Sequence, residues 1–455
     1  MTHPTPLNVL STRRILKTWW PLAASWLLMA VELPALSAVV ARLPNPEINL
    51  AAYGGIVFPL ALIVEAPIIM LLAASTALSK DWASYRRIRQ FMLGAGITLT
   101  CMHILVAFTP LYYLIVEGLL GVPAEIVEPG RIGLMIMTPW TASIAYRRFN
   151  QGVMIRFGHS DAVGIGTVVR LLADGLVLLV GYQIGSVAGI VVATSAVIAG
   201  VISEATYTAL RVRPIVRDEL RPAPPVPLLT WRAFFDFYIP LALTSLLLLI
   251  WQPIGSAALS RMPAALASLA VWPVVSGLIF VFRSFGMAFN EVVVALLDEP
   301  YSYQALRRFT ISLAVITTAF HLVIALTPLA KIWFGQISAL PLDLAEMAGL
   351  GFLLAAPLPA LQVLQSWFQG AIMHGRDTRG IPESVGVFLF AVAGILGGGI
   401  MWGQTTGLYI GVIAFTAATG AQDIWLWLRS RKVRALVRAR DERLPAAIAV
   451  EGTPG

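Results

Sequence analysis

The sequence predicts an all-α membrane protein of about twelve transmembrane helices, arranged as two six-helix lobes. Of its 455 residues 58% are hydrophobic and only 12% are charged, and the mean hydropathy is +0.80. One soluble core could not bury this much apolar surface. In addition, apolar stretches recur along the whole chain, and the second half of the sequence repeats the first. Lipid is therefore the predicted environment of most of the surface.

Each predicted span is an apolar stretch of about 20 residues, which is the length that crosses about 30 Å of hydrocarbon as a helix. Arginine, proline or acidic residues separate one stretch from the next. Twelve such stretches are found, at residues 17–41, 51–77, 90–114, 130–147, 162–182, 185–209, 233–258, 264–296, 309–330, 344–368, 383–402 and 404–428.

The positive charges predict the orientation of these spans. With a cytoplasmic N-terminus, 26 of the 32 Lys and Arg residues fall in cytoplasmic segments and only four in outside loops. Cytoplasmic loops of membrane proteins are rich in these residues. We therefore predict a multi-pass protein of the bacterial inner membrane with both termini in the cytoplasm. In a soluble chain the net charge of +8 would point to nucleic acid, but here it sets topology, and no nucleic-acid partner is predicted.

The two halves of the chain agree position by position when the sequence is aligned with itself. Pro34 and Arg42 fall on Pro253 and Arg261 at an offset of 219 residues. After a one-residue deletion the offset becomes 218, and further positions match: Arg89, Phe91, His103, Thr109, Pro110, Pro139, Gln151, Gly152 and Gly189 fall on Arg307, Phe309, His321, Thr327, Pro328, Pro357, Gln369, Gly370 and Gly407.

Six spans per half is an even number, so both halves enter the membrane from the same side. This arrangement predicts a parallel repeat with a pseudo-twofold axis along the membrane normal and a cleft between the lobes. Rocking of two such lobes gives alternating access to the cleft. The predicted organisation is a cytoplasmic N-terminus at 1–16, an N-lobe at 17–210, a cytoplasmic linker at 211–231, a C-lobe at 232–430 and a disordered cytoplasmic tail at 431–455.

Ionisable residues at membrane depth are costly, so they are candidates for a water-filled cleft. Glu32 and Glu65 lie on the first and second spans, and Arg283 lies on the eighth. Trp251 is the repeat counterpart of Glu32, and with Gln252 it precedes a proline that can free a backbone carbonyl. These five residues are the predicted substrate-binding or ion-binding set, with Glu65 and Arg283 as a possible pair across the axis.

Arg170 and Asp174 are spaced i, i+4 on the fifth span, which predicts a structural ion pair. The sequence contains no nucleotide-binding, zinc-protease or serine-hydrolase motif. We therefore expect no enzyme activity, catalytic residue, metal or cofactor, apart from a coupling H⁺ or Na⁺ held by a carboxylate such as that of Glu32.

Segments that follow the fourth and tenth spans, together with short motifs in the first, second and seventh spans, resemble those of the multidrug, oligosaccharide-lipid and polysaccharide exporter superfamily. Within it they are most similar to the progressive ankylosis family. The residues that carry the resemblance are Phe149-Asn150-Gln151-Gly152, Trp367-Phe368-Gln369-Gly370, His374-Gly375-Arg376-Asp377, Glu32 with Ala35-Leu36, Leu50-Ala51-Ala52-Tyr53-Gly54 with Pro67, and Pro253-Ile254 with Ser260-Arg261.

The resemblance implies a monomeric, secondary-active exporter of small organic anions such as citrate, nucleotides or polyphosphates, with Arg283 binding the anion. Two alternatives on the same fold remain open, namely H⁺- or Na⁺-coupled multidrug extrusion and the flipping of lipid-linked oligosaccharides. The major-facilitator architecture also has two six-helix lobes. Its characteristic glycine- and charge-containing loop between the second and third spans is absent from residues 80–89, which disfavours it.

Overall fold

The structure is a computed structural model that describes residues 10–225, 227, 229–375 and 379–451, without the side chains of 444–451. Residues 376–378, which include part of the segment after the tenth span, lie outside the described residues, as do residues 1–9 and 452–455. The described chain is helical throughout, and ten of its helices are long and apolar enough to cross a membrane. Two further helical units complete the twelve.

We number the twelve units in chain order. The N-lobe contains α1 (Thr12–Val40), α2 (Pro46–Glu65, continued by Leu71–Leu78), α3 (Trp82–Phe108), α4 (Val127–Ile136 and Trp140–Arg156), α5 (Asp161–Ile184) and α6 (Gly189–Leu220). The C-lobe contains α7 (Trp231–Leu259), α8 (Ala265–Leu296), α9 (Ser302–Leu326), α10 (Leu342–His374), α11 (Gly380–Trp402) and α12 (Gly407–Glu451).

The two lobes share their irregular features as well as their helices. A turn interrupts α4 just before Trp140, and the equivalent turn interrupts α10 just before Leu358, each ending at a proline. His103 on α3 and His321 on α9 each place Nε2 2.8 Å from a backbone oxygen, that of Leu134 and of Phe352 respectively. These matched contacts agree with the pseudo-twofold repeat, since all are offset by 218 residues.

Large apolar side chains cover the outside of the bundle, including Phe320, Phe390 and Met401, which are 63%, 84% and 89% exposed. In water such a surface would drive aggregation, whereas in lipid it is solvated. The protein is therefore a multi-pass membrane protein.

Where the sequence predicts a disordered tail, α12 continues as a helix to Glu451. This extension is held against the C-lobe, since the Asp441 carboxylate accepts a 2.9 Å hydrogen bond from the backbone N–H of Tyr303 and Arg440 donates to the Glu299 carbonyl oxygen at 2.9 Å. Sequence periodicity missed it because the segment is too polar to be a span. Likewise α6 runs on to Leu220, so the first part of the predicted linker is helical.

The lobes meet along α1, α2, α7 and α8. α1 packs against α8 along most of its length, and α2 packs against both α7 and α8. Leu10 beside α1 and Val437 on α12 belong to one apolar cluster, so the start of α1 and the C-terminal part of α12 lie at one membrane face. We call this the terminal face and the other the opposite face.

Candidate functional site

A cavity of about 350 Å³ lies between the lobes and is lined by α1, α2, α5, α7, α8, α10 and α12. Most of its wall is apolar. Six aromatic side chains contribute to it, three of them tryptophan or tyrosine: Tyr53, Phe58, Trp251, Trp272, Phe280 and Phe415. This volume is at the lower end of the range for small-molecule sites, which are typically apolar with a few polar groups.

Few polar groups reach the cavity, and they are unevenly divided between the lobes. The N-lobe contributes Glu32 and Arg170, and the C-lobe contributes Gln252, Ser276 and Arg283. Four of the predicted set, Glu32, Trp251, Gln252 and Arg283, therefore line one cavity. Arg170, predicted as a purely structural residue, lines it too.

The Arg170 guanidinium connects the cavity to the interior of the N-lobe. Its Nη2 is 2.5 Å from Oε1 of Glu32, and its Nε is 3.8 Å from Oδ2 of Asp174. The pair predicted from the i, i+4 spacing is thus present, but Arg170 makes its shorter contact with Glu32. Asp174 lies against Gly200 of α6, where a Cβ atom would be only 1.7 Å from Oδ1. Any larger residue at position 200 would force this carboxylate to move.

A second group of charges lies deeper in the N-lobe. Arg147 on α4 forms an ion pair with Glu204 on α6, and both side chains are almost fully buried. Gln151 donates to the other Glu204 carboxylate oxygen at 2.9 Å. Arg147 therefore lies inside the lobe and not in a loop.

Glu65 does not line the cavity. Its side chain is buried in the N-lobe, where Oε2 accepts a 3.0 Å hydrogen bond from Nε1 of Trp140 on α4. Arg148 and Arg147 interact with it electrostatically. The structure therefore places Glu65 in the buried N-lobe charge group and Arg283 at the cavity, and the two do not form an ion pair.

Arg283 has different surroundings from Arg170. Its Nε and Nη2 both donate to Oε1 of Gln362 on α10, at 3.0 and 2.6 Å, and its guanidinium lies 4.9 Å from the centre of the Phe415 ring. Among the described residues no carboxylate oxygen lies within 4.0 Å of it. Arg283 is thus a cavity-lining cation held by a neutral amide.

Asp423 on α12 and Glu204 on α6 were not among the residues singled out from the sequence. Both are acidic residues inside predicted apolar spans, so the criterion that selected Glu32 would have selected them as well. Asp423 is 5% exposed, and neither of its carboxylate oxygens has a hydrogen-bond partner in the described chain. It interacts electrostatically with Arg283.

Two arginines join the lobes at the opposite face. Arg42, which follows α1, donates to the carbonyl oxygens of Ile337 and Gln336 in the C-lobe at 2.9 and 2.7 Å. Arg261, its repeat counterpart, donates to those of Leu120 and Leu119 in the N-lobe, both at 2.7 Å. We call Arg42 and Arg261 the interlobe arginines.

The lobes also touch at the terminal face. Nε1 of Trp19 on α1 donates to the Phe285 carbonyl oxygen of α8 at 3.0 Å, and the Tyr238 hydroxyl of α7 donates to the Pro67 carbonyl oxygen at 2.6 Å. Arg14 forms an exposed ion pair with Glu299 at 2.6 Å. The cavity therefore lies between two sets of interlobe contacts.

Among the described residues, no three His, Cys, Asp or Glu side chains are grouped so that they could hold a metal ion. The polar chemistry of the cavity comes from one ion pair, one arginine held by an amide, and a few neutral groups.

The fold is similar to those of solved transporters of the multidrug, oligosaccharide-lipid and polysaccharide exporter (MOP) superfamily. The chain is similar to an inward-facing multidrug-resistance transporter of the MATE family at 14% identity and a TM-score of 0.70, covering 89% of this chain and 96% of that one. It is similar to the lipid II flippase MurJ at 13% identity and a TM-score of 0.68, covering 96% and 94%.

A MOP superfamily transporter from Pyrococcus furiosus, described as having a binding pocket of reversed polarity, matches at 17% identity and a TM-score of 0.60, over 93% of this chain and 96% of that chain. No protein-family model and no curated protein matches the sequence. The fold class predicted from the sequence is confirmed. The finer resemblance to the progressive ankylosis family stays a prediction.

Proposed function

We propose that this protein is a secondary-active transporter that exports a small organic anion with an apolar or aromatic body by alternating access of the interlobe cavity. The observation that carries the proposal is Arg283, a cavity-lining cation that no carboxylate contacts. Arginine stays charged at all physiological pH values, and a buried charge without a counter-ion is costly. An anionic group of the substrate would supply that counter-ion.

The other cavity-lining charges do not compete for this role. Arg170 is already paired with Glu32 and lies beside Asp174. Because Arg283 is the one cation among the described lining residues without a carboxylate partner, and most of the wall is apolar or aromatic, the cavity favours one anionic group on an apolar body. Citrate and polyphosphates carry more negative charge than this wall can neutralise, so we favour a monoanion as the substrate.

Alternating access follows from the two sets of interlobe contacts. The contacts of Trp19 and Tyr238 close the terminal face, and those of the interlobe arginines close the opposite face. Rocking of the lobes would open one set while the other persists. The cavity is complete within one chain, which supports a monomer as the working unit.

The orientation in the membrane is part of the proposal. The excess of Lys and Arg at the terminal face supports a cytoplasmic location for both termini, in a bacterial inner membrane. A fluorescent protein that matures only in the cytoplasm, fused after residue 455, is expected to fluoresce, whereas a periplasmic phosphatase fused there is expected to be inactive. The reverse result would contradict the orientation.

The test of the substrate class is a binding measurement on the purified protein with naphthalene-2-sulfonate, which stays ionised at all accessible pH values. The matched cation is the trimethylammonium analogue. We expect the sulfonate to bind and Arg283→Ala to weaken its binding about 30-fold or more, since truncating one partner of a buried charge pair costs about 2–5 kcal/mol. Arg86→Ala removes an exposed arginine of α3 and is expected to leave binding unchanged.

Extrusion of aromatic cations is the second candidate, because six aromatic rings line the cavity and Glu32 reaches its wall. Aromatic faces attract organic cations. Preferential binding of the trimethylammonium analogue, lost in Glu32→Gln and kept in Arg283→Ala, would replace the anion proposal with this one.

A further inference from the structure

Asp423 occupies an unusual place next to the proposed anion site. It lies on α12 eight residues after Phe415, whose ring covers the Arg283 guanidinium. Asp423 does not line the cavity, and its backbone position on α12 is about two helical turns nearer the terminal face than that of Phe415. Its side chain is almost fully buried, yet both oxygens lack a hydrogen bond in the described chain.

The fold itself does not require an acid at this position. At the offset of 218 residues the N-lobe has Ala205 where the C-lobe has Asp423, and it has Ile144 where the C-lobe has Gln362. α6 nevertheless packs on α5 as α12 packs on α11. Arg283, Gln362 and Asp423 therefore form a group that one lobe has and the other lacks.

An ionised carboxylate without a partner costs several kcal/mol in such surroundings. Asp423 can avoid this cost in two ways, by taking up a proton or by pairing with Arg283. Arg283 cannot give up its charge. Since it can neutralise only one carboxylate-like group at a time, a substrate anion on Arg283 and an ionised Asp423 exclude each other. In the structure the Arg283 guanidinium donates its hydrogen bonds to Gln362, which is a neutral acceptor.

We propose that Asp423 carries the coupling proton and competes with the substrate anion for Arg283, so that each bound anion is accompanied by one proton. This inference rests on the proposed anion site. In the empty state Asp423 is a carboxylate paired with Arg283. In the loaded state Asp423 is a carboxylic acid and the substrate anion neutralises Arg283. The site has the same net charge in both states, so the reorientation of either state moves no net charge across the membrane.

The charged groups around Asp423 support Arg283 as its ion-pair partner. α7, α8, α9, α10 and α11 all pack against α12. Among charged side chains of the described residues, Arg283 on α8 is the one that acts on the Asp423 carboxylate. On α11, Glu383 is already bound by Arg429 and Trp425 of α12, at 2.7 and 3.1 Å. α10 presents Gln362, which is neutral.

The test measures the affinity for naphthalene-2-sulfonate as a function of pH by titration calorimetry. The probe does not titrate, so any pH dependence belongs to the protein. Above the pH at which Asp423 ionises, we expect the wild-type affinity to fall about tenfold per pH unit, as linkage to one proton requires. Asp423→Asn should bind tightly at every pH. Glu383→Gln removes another C-lobe carboxylate and should keep the wild-type pH dependence.

A second readout does not depend on any variant. Titrations of wild-type protein in buffers of different ionisation enthalpy give the number of protons taken up with the probe, which we expect to approach one at high pH. If wild-type protein binds the probe without proton uptake or pH dependence, and Arg283→Ala loses that binding, the role of Asp423 is overturned and the proposed anion site is supported. Absence of Arg283-dependent sulfonate binding at all pH values would overturn both.

Discussion

Glu32 and Arg170 in the N-lobe form an ion pair at 2.5 Å, whereas their repeat counterparts Trp251 and Phe388 in the C-lobe make an edge-to-face aromatic contact with ring centres 6.2 Å apart. Both contacts join the first and fifth helices of their lobe. The same helix pair is therefore held once by charge and once by aromatic packing, and Glu32, Arg170 and Trp251 of these pairs line the cavity.

The difference in charge extends beyond these two helix pairs into the rest of each lobe. The positions equivalent to the N-lobe charges are occupied by neutral residues in the C-lobe: Arg147, Arg148, Arg170, Asp174 and Glu204 correspond to Gln365, Ser366, Phe388, Val392 and Gln422. The helices of the C-lobe nevertheless pack as those of the N-lobe do. The fold of a lobe thus does not need these charges. Four predictions test how far the two lobes differ, in order of decreasing expected effect.

The largest effect is expected where a buried charge loses its partner. Glu204→Ala removes the ion-pair partner of the buried Arg147, which costs about 3–5 kcal/mol of unfolding free energy. Gln422→Ala, at the equivalent C-lobe position, removes only a neutral 3.3 Å hydrogen bond to Ser384 and should cost about 1 kcal/mol. Thermal unfolding in detergent measures both. Equal losses would show that the N-lobe charges are no more critical than the C-lobe amides.

The interlobe arginines should behave alike, because their contacts are equivalent. Arg42→Ala and Arg261→Ala each remove hydrogen bonds from a charged donor to carbonyl oxygens of the other lobe, worth about 1.5–3 kcal/mol. Each should shift the protein toward opening at the opposite face.

Opening can be measured by maleimide labelling of Ser276→Cys at the cavity wall in a Cys101→Ala background, since Cys101 is the only native cysteine. We expect faster labelling in both arginine variants and no change in Arg86→Ala. Faster labelling in only one of them would show that the two contacts close the cavity unequally.

A smaller difference is expected where α6 and α12 begin. The backbone N–H of the second residue of each helix donates to a side chain at the start of a neighbouring helix. Ile190 donates to Asn49 on α2 and Leu408 donates to Ser268 on α8, both at 3.0 Å. Asn49→Ala and Ser268→Ala should each cost about 1 kcal/mol. The Asn49→Ala variant should lose somewhat more unfolding free energy than Ser268→Ala, because the Asn49 amide also donates to the Pro44 and Asn45 carbonyl oxygens. A larger loss for Ser268→Ala in thermal unfolding would contradict this.

The smallest effect concerns one turn at the opposite face. Gly121 and its counterpart Ala339 both have positive φ, +64° and +53°. Ala339→Gly relieves a left-handed strain of about 1–2 kcal/mol and adds a backbone entropy cost of about 0.5–1 kcal/mol. A stabilisation of about 0.5 kcal/mol remains. The control Ala345→Gly, inside α10, should destabilise the protein instead. Equal shifts of the unfolding midpoint in Ala339→Gly and Ala345→Gly would contradict the strain argument.

The sequence predicted the candidate site only in part. Glu32, Gln252, Trp251 and Arg283 were selected because polar groups at membrane depth are costly, and all four line one cavity. Glu65 was selected by the same criterion, and it lies inside the N-lobe. Hydropathy identifies the depth of a residue but not the direction in which its side chain points, and one residue along a helix turns that direction by about 100°.

The sequence by itself determined the membrane environment, the number of helical units and the repeat. These follow from local requirements, because every backbone polar group in lipid must be satisfied within its own helix and each span must match the hydrocarbon thickness. Only the tertiary structure decided that Arg170 pairs with Glu32, that Arg283 is held by Gln362, and that the buried Asp423 carboxylate has no hydrogen-bond partner among the described residues. Those contacts join residues far apart in the chain, and they depend on how each helix is rotated against its neighbours.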